Sequence, residues 1–153
     1  MKPRIKPRWN LTPRDARREQ ERLRERVILT DNFKAVRLVA GADLAFDPVT
    51  NLAFAGVIVY RFPEMQEVER RMARRKLRFP YVPGLLSFRE GPALLAAFAR
   101  LRTEPDLILI DGHGRAHPRL FGIASHIGVL LDTPTIGCAK SLLVGEHDEP
   151  GAK

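Results

Sequence analysis

Apolar and polar positions alternate along the chain in segments whose lengths and spacing indicate both strands and helices. Residues 37–46 and 52–60 are apolar segments separated by the turn sequence DPVTN, and they predict two neighbouring strands. Residues 107–110 are four consecutive branched aliphatic residues, which predicts a strand buried on both faces. Residues 135–138 predict a short final strand.

Two further segments carry the signals of helices. Thr12 is a good N-cap and Pro13 fits the first helical position, so we predict a charged helix that runs to about residue 27 or 29 and is polar nearly all round. Residues 87–101 predict the clearest helix, with Ser87 as its N-cap and Glu90 at the third helical position, as in a capping box.

The segment 67–79 fits either of two structures. It holds six Lys or Arg between Arg70 and Arg78, and its helix propensity competes with its position directly after two strands. We predict a third antiparallel strand here, and a helix over residues 122–131. The resulting order α-β-β-β-α-β-α-β predicts an α/β fold in which a mixed sheet is flanked by helices.

Length and composition fit a single domain. The 153 residues are 44% hydrophobic, enough for a core, and we assign residues 1–10 to an irregular basic arm, 11–145 to one domain and 146–153 to a polar tail. The single cysteine, Cys138, excludes an internal disulfide and fits a reducing compartment. No apolar segment approaches the roughly 20 residues of a membrane span, so we expect a cytoplasmic monomer without membrane contact.

The formal net charge of +8 is concentrated at the amino terminus, where residues 1–26 hold ten Lys or Arg against four acids. A basic arm and helix suit a polyanion such as nucleic acid, whose counterions are released on contact. Basic tails also serve as plain solubilising segments, so charge alone leaves both interpretations open. The segment 67–79 would add a second basic strip along a phosphate backbone.

Three carboxylates lie where the predicted elements can bring them together. Asp111 follows the strand 107–110 at its carboxyl end, where open α/β sheets bind ligands, and Asp43 interrupts the apolar pattern of the first strand. A turn cap at Asp111, an outward-facing acid at Asp43 and a helix cap at Glu90 are the plainer alternatives. A shared site would need a cation, because like charges at short range raise one another's pKa. Such oxygen-rich clusters suit Mg²⁺ or Mn²⁺, and the implied reaction is hydrolysis of a phosphodiester.

Pro80 and Pro83 hold a stiff loop that presents Tyr81 between them. The tyrosine could pack on its own domain, which is the commoner case, or stack on nucleic-acid bases.

The histidines give weaker signals. His113 and His117 with the distant Cys138 form a poor zinc pattern. We expect His126, inside a predicted helix, to be packed or hydrogen-bonded, and His147 to lie in the polar tail.

Long stretches of the sequence resemble endonuclease V, a family of inosine-directed nucleases with a ribonuclease H-like fold. They are VAGADLAF around Asp43, FPYVPGLLSFREGPALL at residues 79–95 and PDLILIDGHGRAHPRLFGIASHIGVLLDTPTIGCAKSLL at residues 105–143, with a weaker match in the amino-terminal helix. The YVPGLLSFRE and DGHGRAHPRxxGIASHxG blocks are long and specific. The resemblance implies a metal-dependent endonuclease that recognises deoxyinosine in DNA and cuts a phosphodiester 3′ to the lesion, which initiates repair.

The resemblance also implies roles for individual residues. Asp43 and Asp111 match direct ligands of Mg²⁺, with Mn²⁺ as an alternative, and Glu90 matches a catalytic acid that acts partly through water. Lys140 matches a basic residue near the scissile phosphate. Tyr81 matches a wedge that fills the gap when the damaged nucleotide is rotated out of the stack. The residues that match the wedge loop and the pocket for the flipped hypoxanthine are Pro80, Tyr81, Val82, Pro83, Gly84, Leu85, Leu86, Gly112 and His117.

The carboxyl end departs from the family, whose members continue well past the AKS-x-L-x-G segment with elements that cover one face of the sheet. We therefore expect this chain to expose apolar surface on that face. Two alternatives follow: a nucleic-acid-binding module with impaired or no catalysis, and a product that does not fold cooperatively. DNA and inosine-containing RNA both stay open as substrates, because we identify no residue that must contact a 2′-hydroxyl.

Overall fold

A β-sheet with helices packed on it is the centre of the computed structural model, which describes residues 1–31, 35–146 and 151. Within these residues the elements in chain order are α1 (Pro13–Arg24), β1 (Leu38–Asp47), β2 (Leu52–Arg61), β3 (Gln66–Lys76), α2 (Leu86–Phe98), β4 (Leu107–Asp111), α3 (Ile123–Leu131) and β5 (Thr135–Cys138). The strands form one sheet in the order β3-β2-β1-β4-β5. β2 is antiparallel to both β1 and β3, whereas β4 is parallel to both β1 and β5. The predicted mixed sheet with flanking helices is confirmed.

The basic segment forms the strand that we preferred over a helix. In β3, Ala73 is buried opposite Ala55 of β2, and the adjacent Arg74 is exposed. Side chains of this segment therefore alternate between the two faces of the sheet, as the two-residue period of a strand requires. The full ladder with β2 outweighs the helix propensity of its arginines, and it places most of them in solvent.

The main core lies between one face of the sheet and the helices α2 and α3. Ala40, Ala42 and Val57 of the strands are buried in one cluster with Leu94 and Phe98 of α2. Small residues on the strands allow the helix to approach the sheet closely, so the larger helix side chains fill the space between them.

The opposite face of the sheet is open in the described part of the chain. Phe54, Met72 and Ile136 lie on β2, β3 and β5, and they are 38%, 59% and 48% exposed. Phe54 pairs with Ala45 of β1, two residues after Asp43, so Asp43 belongs to this same face. The expected exposure of apolar surface is confirmed.

Helix α1 corrects the prediction of a helix that is polar nearly all round. It ends at Arg24, earlier than predicted, and one face of it is buried. Ala16, Glu19, Gln20 and Leu23 form that face at helical spacing. The pattern was missed because two of the four buried residues are polar, and these two make hydrogen bonds that offset their burial.

Helix α2 corrects the predicted capping box. The helix begins at Leu86 after Leu85, whose side chain provides no cap, and it ends at Phe98. Its start follows a tight turn in which the amide of Leu85 donates to the carbonyl of Val82 over 3.0 Å. Ser87 lies inside the helix and is buried, so it cannot cap, and Glu90 is left without a capping role.

Residues 147–150 and 152–153 lie outside the described residues, and with them His147 and most of the predicted polar tail. Of the helices in the described residues, none is both long enough and apolar enough to cross a membrane.

Candidate active site

Asp43 and Asp111 lie side by side at the ends of a pair of parallel strand segments. Ala42 of β1 and Ile110 of β4 are the last pair in the parallel register. Asp43 directly follows Ala42 in the chain, and Asp111 directly follows Ile110. Asp111 pairs on its other side with Cys138 of β5, an exposed residue. The Oδ1 of Asp43 accepts a hydrogen bond from its neighbouring amide, that of Leu44, over 2.6 Å. The sheet register thus brings together two acids that are 68 positions apart in the sequence.

Glu90 belongs to the same group of charges. It lies on the second turn of α2 and is only partly exposed. Burial raises the pKa of Glu90 to about 7, Arg89 opposes this change, and the negative charges of Asp111 and Asp43 add to it. The three predicted acids therefore act on one another electrostatically, although they come from three different elements.

Lys140 forms an ion pair with Asp111. Its Nζ lies 2.9 Å from the Oδ2 of Asp111, and the hydrogen bond to this carboxylate raises the pKa of Lys140. The lysine side chain is 86% exposed, whereas that of Asp111 is 32% exposed. An exposed ammonium on a long side chain can neutralise the half-buried acid beside it, and it can also turn to another anion that enters the site.

The donor chemistry of these acids fits a divalent metal ion with a preference for oxygen ligands. Among the described residues, however, no three His, Cys, Asp or Glu side chains lie close enough together to hold an ion. Binding would therefore require side-chain movement, including exchange of the Lys140 contact on Asp111. The mutual repulsion that contributes to the raised pKa of Glu90 is the kind of strain that a bound cation relieves.

A pocket lies between the 80–84 loop and the segment before α3, and its wall includes Ser87 and His113, which are three residues before Glu90 and two after Asp111. Of the residues predicted for base recognition, Tyr81, Val82, Pro83, Gly84, Leu86 and His117 line it. Other parts of its wall come from Gln20, Ser87, His113, Gly122, Ile123 and Leu143, none of which we had assigned to recognition. The pocket therefore joins α1, the loop and the DGHGRAHPR motif, three separate parts of the sequence.

Three of the predicted recognition residues do not line this pocket. The side chain of Leu85 is fully buried and packs with Phe79 and Phe88 in a second core cluster, so it anchors the loop. Gly112 has φ +132°, a conformation that only glycine adopts easily, and it directly follows Asp111. Pro80 is exposed at the start of the loop.

Tyr81 is the exposed tip of the loop. Its side chain is 73% exposed, between Pro80 and Pro83. The alternative in which it packs on its own domain is therefore wrong for this structure, and the ring is available to a partner.

His117 is buried and its protonation state is fixed by its neighbours. Its Nδ1 accepts from the backbone amide of Arg119 over 3.2 Å, so Nε2 carries the hydrogen and donates to the carbonyl of Gly84 over 3.1 Å. Burial lowers the pKa of His117, and the charge of Arg119 lowers it further. A neutral ring with a defined N–H at Nε2 follows.

Arg119 and Gln20 complete this network, although neither was among the residues predicted for the site. The guanidinium of Arg119 donates from Nη2 to the carbonyl of Gly84 and from Nε to the Oε1 of Gln20, each over 2.6 Å. The amide nitrogen of Gln20 donates to the carbonyls of Gly84 and Phe121, each over 3.1 Å. The position of Arg119 inside the DGHGRAHPR motif was the one feature of the sequence that could have indicated a role for it. No feature of the sequence indicated a role for Gln20.

His113 and His117 do not form a zinc site with Cys138 in the described structure, where each ring contacts a backbone carbonyl. His113 Nε2 lies 2.9 Å from the carbonyl of Ser141, and His117 is held by Gly84 as described.

The family model of endonuclease V matches residues 21–153 of this chain. An endonuclease V from Roseiflexus castenholzii is 53% identical over 148 residues, which make up 97% of this chain and 66% of that protein. The crystal structure of endonuclease V from Streptomyces avermitilis has a TM-score of 0.88 and 42% identity to this chain, and the match covers 100% of this chain and 68% of that one.

A crystal structure of Ciona intestinalis endonuclease V in complex with a 24mer DNA containing an inosine followed by a ribo-adenosine matches with a TM-score of 0.76 and 37% identity, over 85% of this chain and 58% of that one. The fold shared with these solved structures is the ribonuclease H-like fold. The chain spans 58% to 66% of the length of the first three curated relatives that it matches.

Proposed function

The chain belongs to the endonuclease V family, and on that premise we propose that it is a metal-dependent endonuclease that recognises deoxyinosine in DNA and hydrolyses a phosphodiester 3′ to the lesion. The observation that carries the proposal is that Glu90 and Asp111 of the acid group, which also includes Asp43, are three residues after Ser87 and two before His113, which line a pocket whose rim presents an exposed tyrosine. A reactive group and a base-sized recess side by side are what a lesion-directed nuclease needs.

The acid group supports the catalytic half of this proposal. Asp43 and Asp111 would hold a Mg²⁺ or Mn²⁺ ion directly, with Glu90 acting partly through water. When bound, the ion supplies Lewis acidity toward the phosphate and lowers the pKa of the attacking water. Lys140, which contacts Asp111 in the free protein, would shift toward the scissile phosphate and stabilise the negative charge that develops there.

The loop and the pocket support the recognition half. Tyr81 would fill the space that a rotated nucleotide leaves in the stack, and its exposure allows it to do so without any rearrangement of the core. The pocket would receive the base, whose extrusion costs less when it is mispaired. The exposed arginines of β3 and α1 would contact phosphates on either side, without regard to sequence.

The test uses the purified chain and an end-labelled duplex with a single deoxyinosine. We expect one nick on the 3′ side of the lesion with Mg²⁺, none with EDTA, and none in a matched duplex with deoxyadenosine at that position. Asp111→Asn serves as the matched inactive control, because it removes a charge at nearly constant shape. A parallel inosine-containing RNA shows whether the activity extends to RNA. A folded chain that leaves the deoxyinosine duplex intact in Mg²⁺ and Mn²⁺ would contradict the catalytic proposal.

A second candidate is a nucleic-acid-binding module that does not cut. The observation in its favour is that, among the described residues, no three potential ligand side chains lie close enough together to hold a metal ion. In addition, Lys140 forms an ion pair with Asp111. It predicts salt-sensitive affinity for the deoxyinosine duplex without any product. The nicking assay and a binding isotherm on the same duplex separate the two candidates.

A further inference from the structure

Residues 139–143 follow β5 and belong to both halves of the proposed site. Lys140 forms the ion pair with Asp111, and Leu143 lines the pocket. All five residues of this segment are exposed, Leu143 by 48%. A short exposed segment therefore carries the cation beside the acid group and one part of the pocket wall.

Two hydrogen bonds connect this segment to the rest of the described chain. Nζ of Lys140 donates to Oδ2 of Asp111, and the backbone carbonyl of Ser141 contacts Nε2 of His113, each over 2.9 Å. The pairing of β5 with β4 ends before the segment, at Cys138. The Lys140 side chain is long and 86% exposed, so its contact does not fix the backbone. Of the two contacts, the one with His113 acts on the backbone itself.

The backbone of His113 is held firmly in place. Its carbonyl accepts from the amide of Ala124 near the start of α3 over 3.1 Å, and the carbonyl of Gly114 accepts from the amide of Gly122 over 2.8 Å. The chain also packs closely on Gly137 of β5, where an added Cβ would lie 2.9 Å from the carbonyl carbon of His113. The His113 side chain therefore starts from a closely packed junction of β4, α3 and β5.

The direction of the hydrogen bond between His113 and Ser141 follows from its acceptor. A backbone carbonyl has no hydrogen to donate, so Nε2 of His113 is the donor. Any residue at position 141 would offer the same carbonyl, whereas at position 113 the side chain must bring a donor to the right place. The His113 side chain also lines the pocket. One ring thus contacts the segment that carries Lys140 and forms part of the wall around the space for the base.

We propose that His113 is a positioning residue that holds residues 139–143 through the carbonyl of Ser141, and that it thereby sets the place from which Lys140 reaches the scissile phosphate. The backbone of Lys140 stays in place while its side chain turns from Asp111 to the phosphate. A side chain that starts from a fixed backbone loses less conformational freedom when it takes up a reactive position. The catalytic consequence rests on the proposed function, whereas the anchoring of the segment does not.

The first experiment measures the motion of the segment without nucleic acid and without metal. Backbone order parameters from ¹⁵N relaxation are compared between the full chain and two variants. His113→Phe keeps a ring but has no donor, and the amide of His113→Gln brings a donor close to the position of Nε2. Ala116→Ser is the control, because Ala116 is exposed in the same motif and uncharged. Melting temperatures confirm that each variant is folded.

We expect the order parameters of Ser141 and Leu142 to fall in His113→Phe from the range of rigid backbone, about 0.85, to below about 0.6. His113→Gln should keep most of the native rigidity, since it restores a donor to the carbonyl. Ala116→Ser should leave all values unchanged. The strands and α3 should keep their native values in every variant, because the backbone contacts of position 113 do not depend on its side chain.

The second experiment tests whether His113 acts on catalysis through Lys140. Single-turnover rates of nicking of the deoxyinosine duplex in Mg²⁺ are measured for His113→Phe, Lys140→Met and the double variant. We expect His113→Phe to reduce the rate by about tenfold, because a charged group near the reaction loses its fixed position. In the Lys140→Met background the same substitution should have little further effect, since the side chain that it positions is gone. A role of His113 in stability alone predicts losses that multiply.

The outcomes separate the anchoring, its catalytic consequence and the proposed function. Native order parameters in His113→Phe, or equal mobility of the segment in His113→Phe and His113→Gln, would overturn the anchoring role. Losses that multiply in the double variant would overturn the action through Lys140. A native chain that leaves the deoxyinosine duplex intact would contradict the proposed function, while the order parameters would still decide the anchoring. If His113→Phe does not fold, His113→Ala takes its place in both experiments.

Discussion

The Nδ1 atom of His126 lies 2.9 Å from the Oγ of Ser87, and both side chains are buried. The His126 ring also lies against Trp9, Phe88 and Phe121, with ring centroids 5.2, 5.2 and 5.1 Å away. A charged imidazole here would lose its hydration, so burial lowers the pKa of His126 to about 3. The prediction that His126 is packed and hydrogen-bonded is confirmed.

We expect acid to destabilise the protein through His126. The unfolded chain takes up a proton below the ordinary pKa of 6.5, whereas the folded ring stays neutral down to about 3, although the Glu19 carboxylate favours its charge. The unfolded state therefore binds more protons in this window, and the free energy of unfolding falls by up to about 1.4 kcal/mol per unit of pH below about 6. His126→Gln cannot titrate, so its urea unfolding should lose less stability between about pH 7 and about pH 4. Equal losses in both proteins would contradict the assignment.

Glu90→Gln should stabilise the metal-free protein while it removes cutting. The folded state keeps the Glu90 proton up to about pH 7, whereas the unfolded chain releases it near 4.5, so charging this group lowers stability as the pH rises through that interval. At pH 8 we expect the variant to unfold with a free energy about 1 to 3 kcal/mol higher than the native chain in EDTA. The exposed Glu104→Gln is the control and should change little. A less stable Glu90→Gln protein would contradict the raised pKa of Glu90, which burial causes first and the two other acids increase.

Asp43→Asn and Asp111→Asn should each reduce nicking of the deoxyinosine duplex by more than about a hundredfold, because each would remove a charged oxygen from the proposed metal site. Binding of the same duplex in EDTA should hold or become tighter, since less negative charge faces the phosphates. Comparable loss of binding and cutting would count against the assignment of these two acids to the metal. Both measurements use the same protein preparations, with melting temperatures to confirm folding.

Tyr81→Ala should leave the melting temperature nearly unchanged, because the side chain is 73% exposed and packs on little of its own domain. Its preference for the deoxyinosine duplex over the matched duplex should fall by about tenfold, the order of one lost base–aromatic contact. Tyr81→Phe keeps the ring and should keep the preference. An Ala variant as selective as the native chain would remove Tyr81 from the wedge role.

Much of the sheet could be predicted from the sequence because the relevant signals are local. The four aliphatic residues before Asp111 and the final strand Thr135–Cys138 lie where predicted. The composition of β3 alone favours a helix, so the prediction of a strand depended on the position of this segment directly after two predicted strands. Confirmation came from pairing with β2, which supplies the backbone hydrogen bonds.

Other parts depended on pairings that no local pattern contains. Gln20 and Arg119 are separated by 99 positions, and neither carries a signal until the fold brings them to Gly84. Ser87 was predicted to be a helix cap, but its hydroxyl is hydrogen-bonded to His126, which is buried and 39 residues away in the sequence. In both cases tertiary hydrogen bonding, which local propensity cannot represent, decided the outcome.

The single thiol of the chain, Cys138, is exposed and lies next to Asp111 across the β4–β5 ladder. A maleimide fluorophore or nitroxide would therefore attach at this one position. The backbones of Cys138 and Asp111 are about 5 Å apart, the usual spacing between neighbouring strands. Paramagnetic Mn²⁺ near Asp111 would quench or broaden such a reporter in a way that diamagnetic Mg²⁺ would not. The protein thus carries a native attachment point from which metal occupancy can be read by spectroscopy, without substrate and without any engineered cysteine.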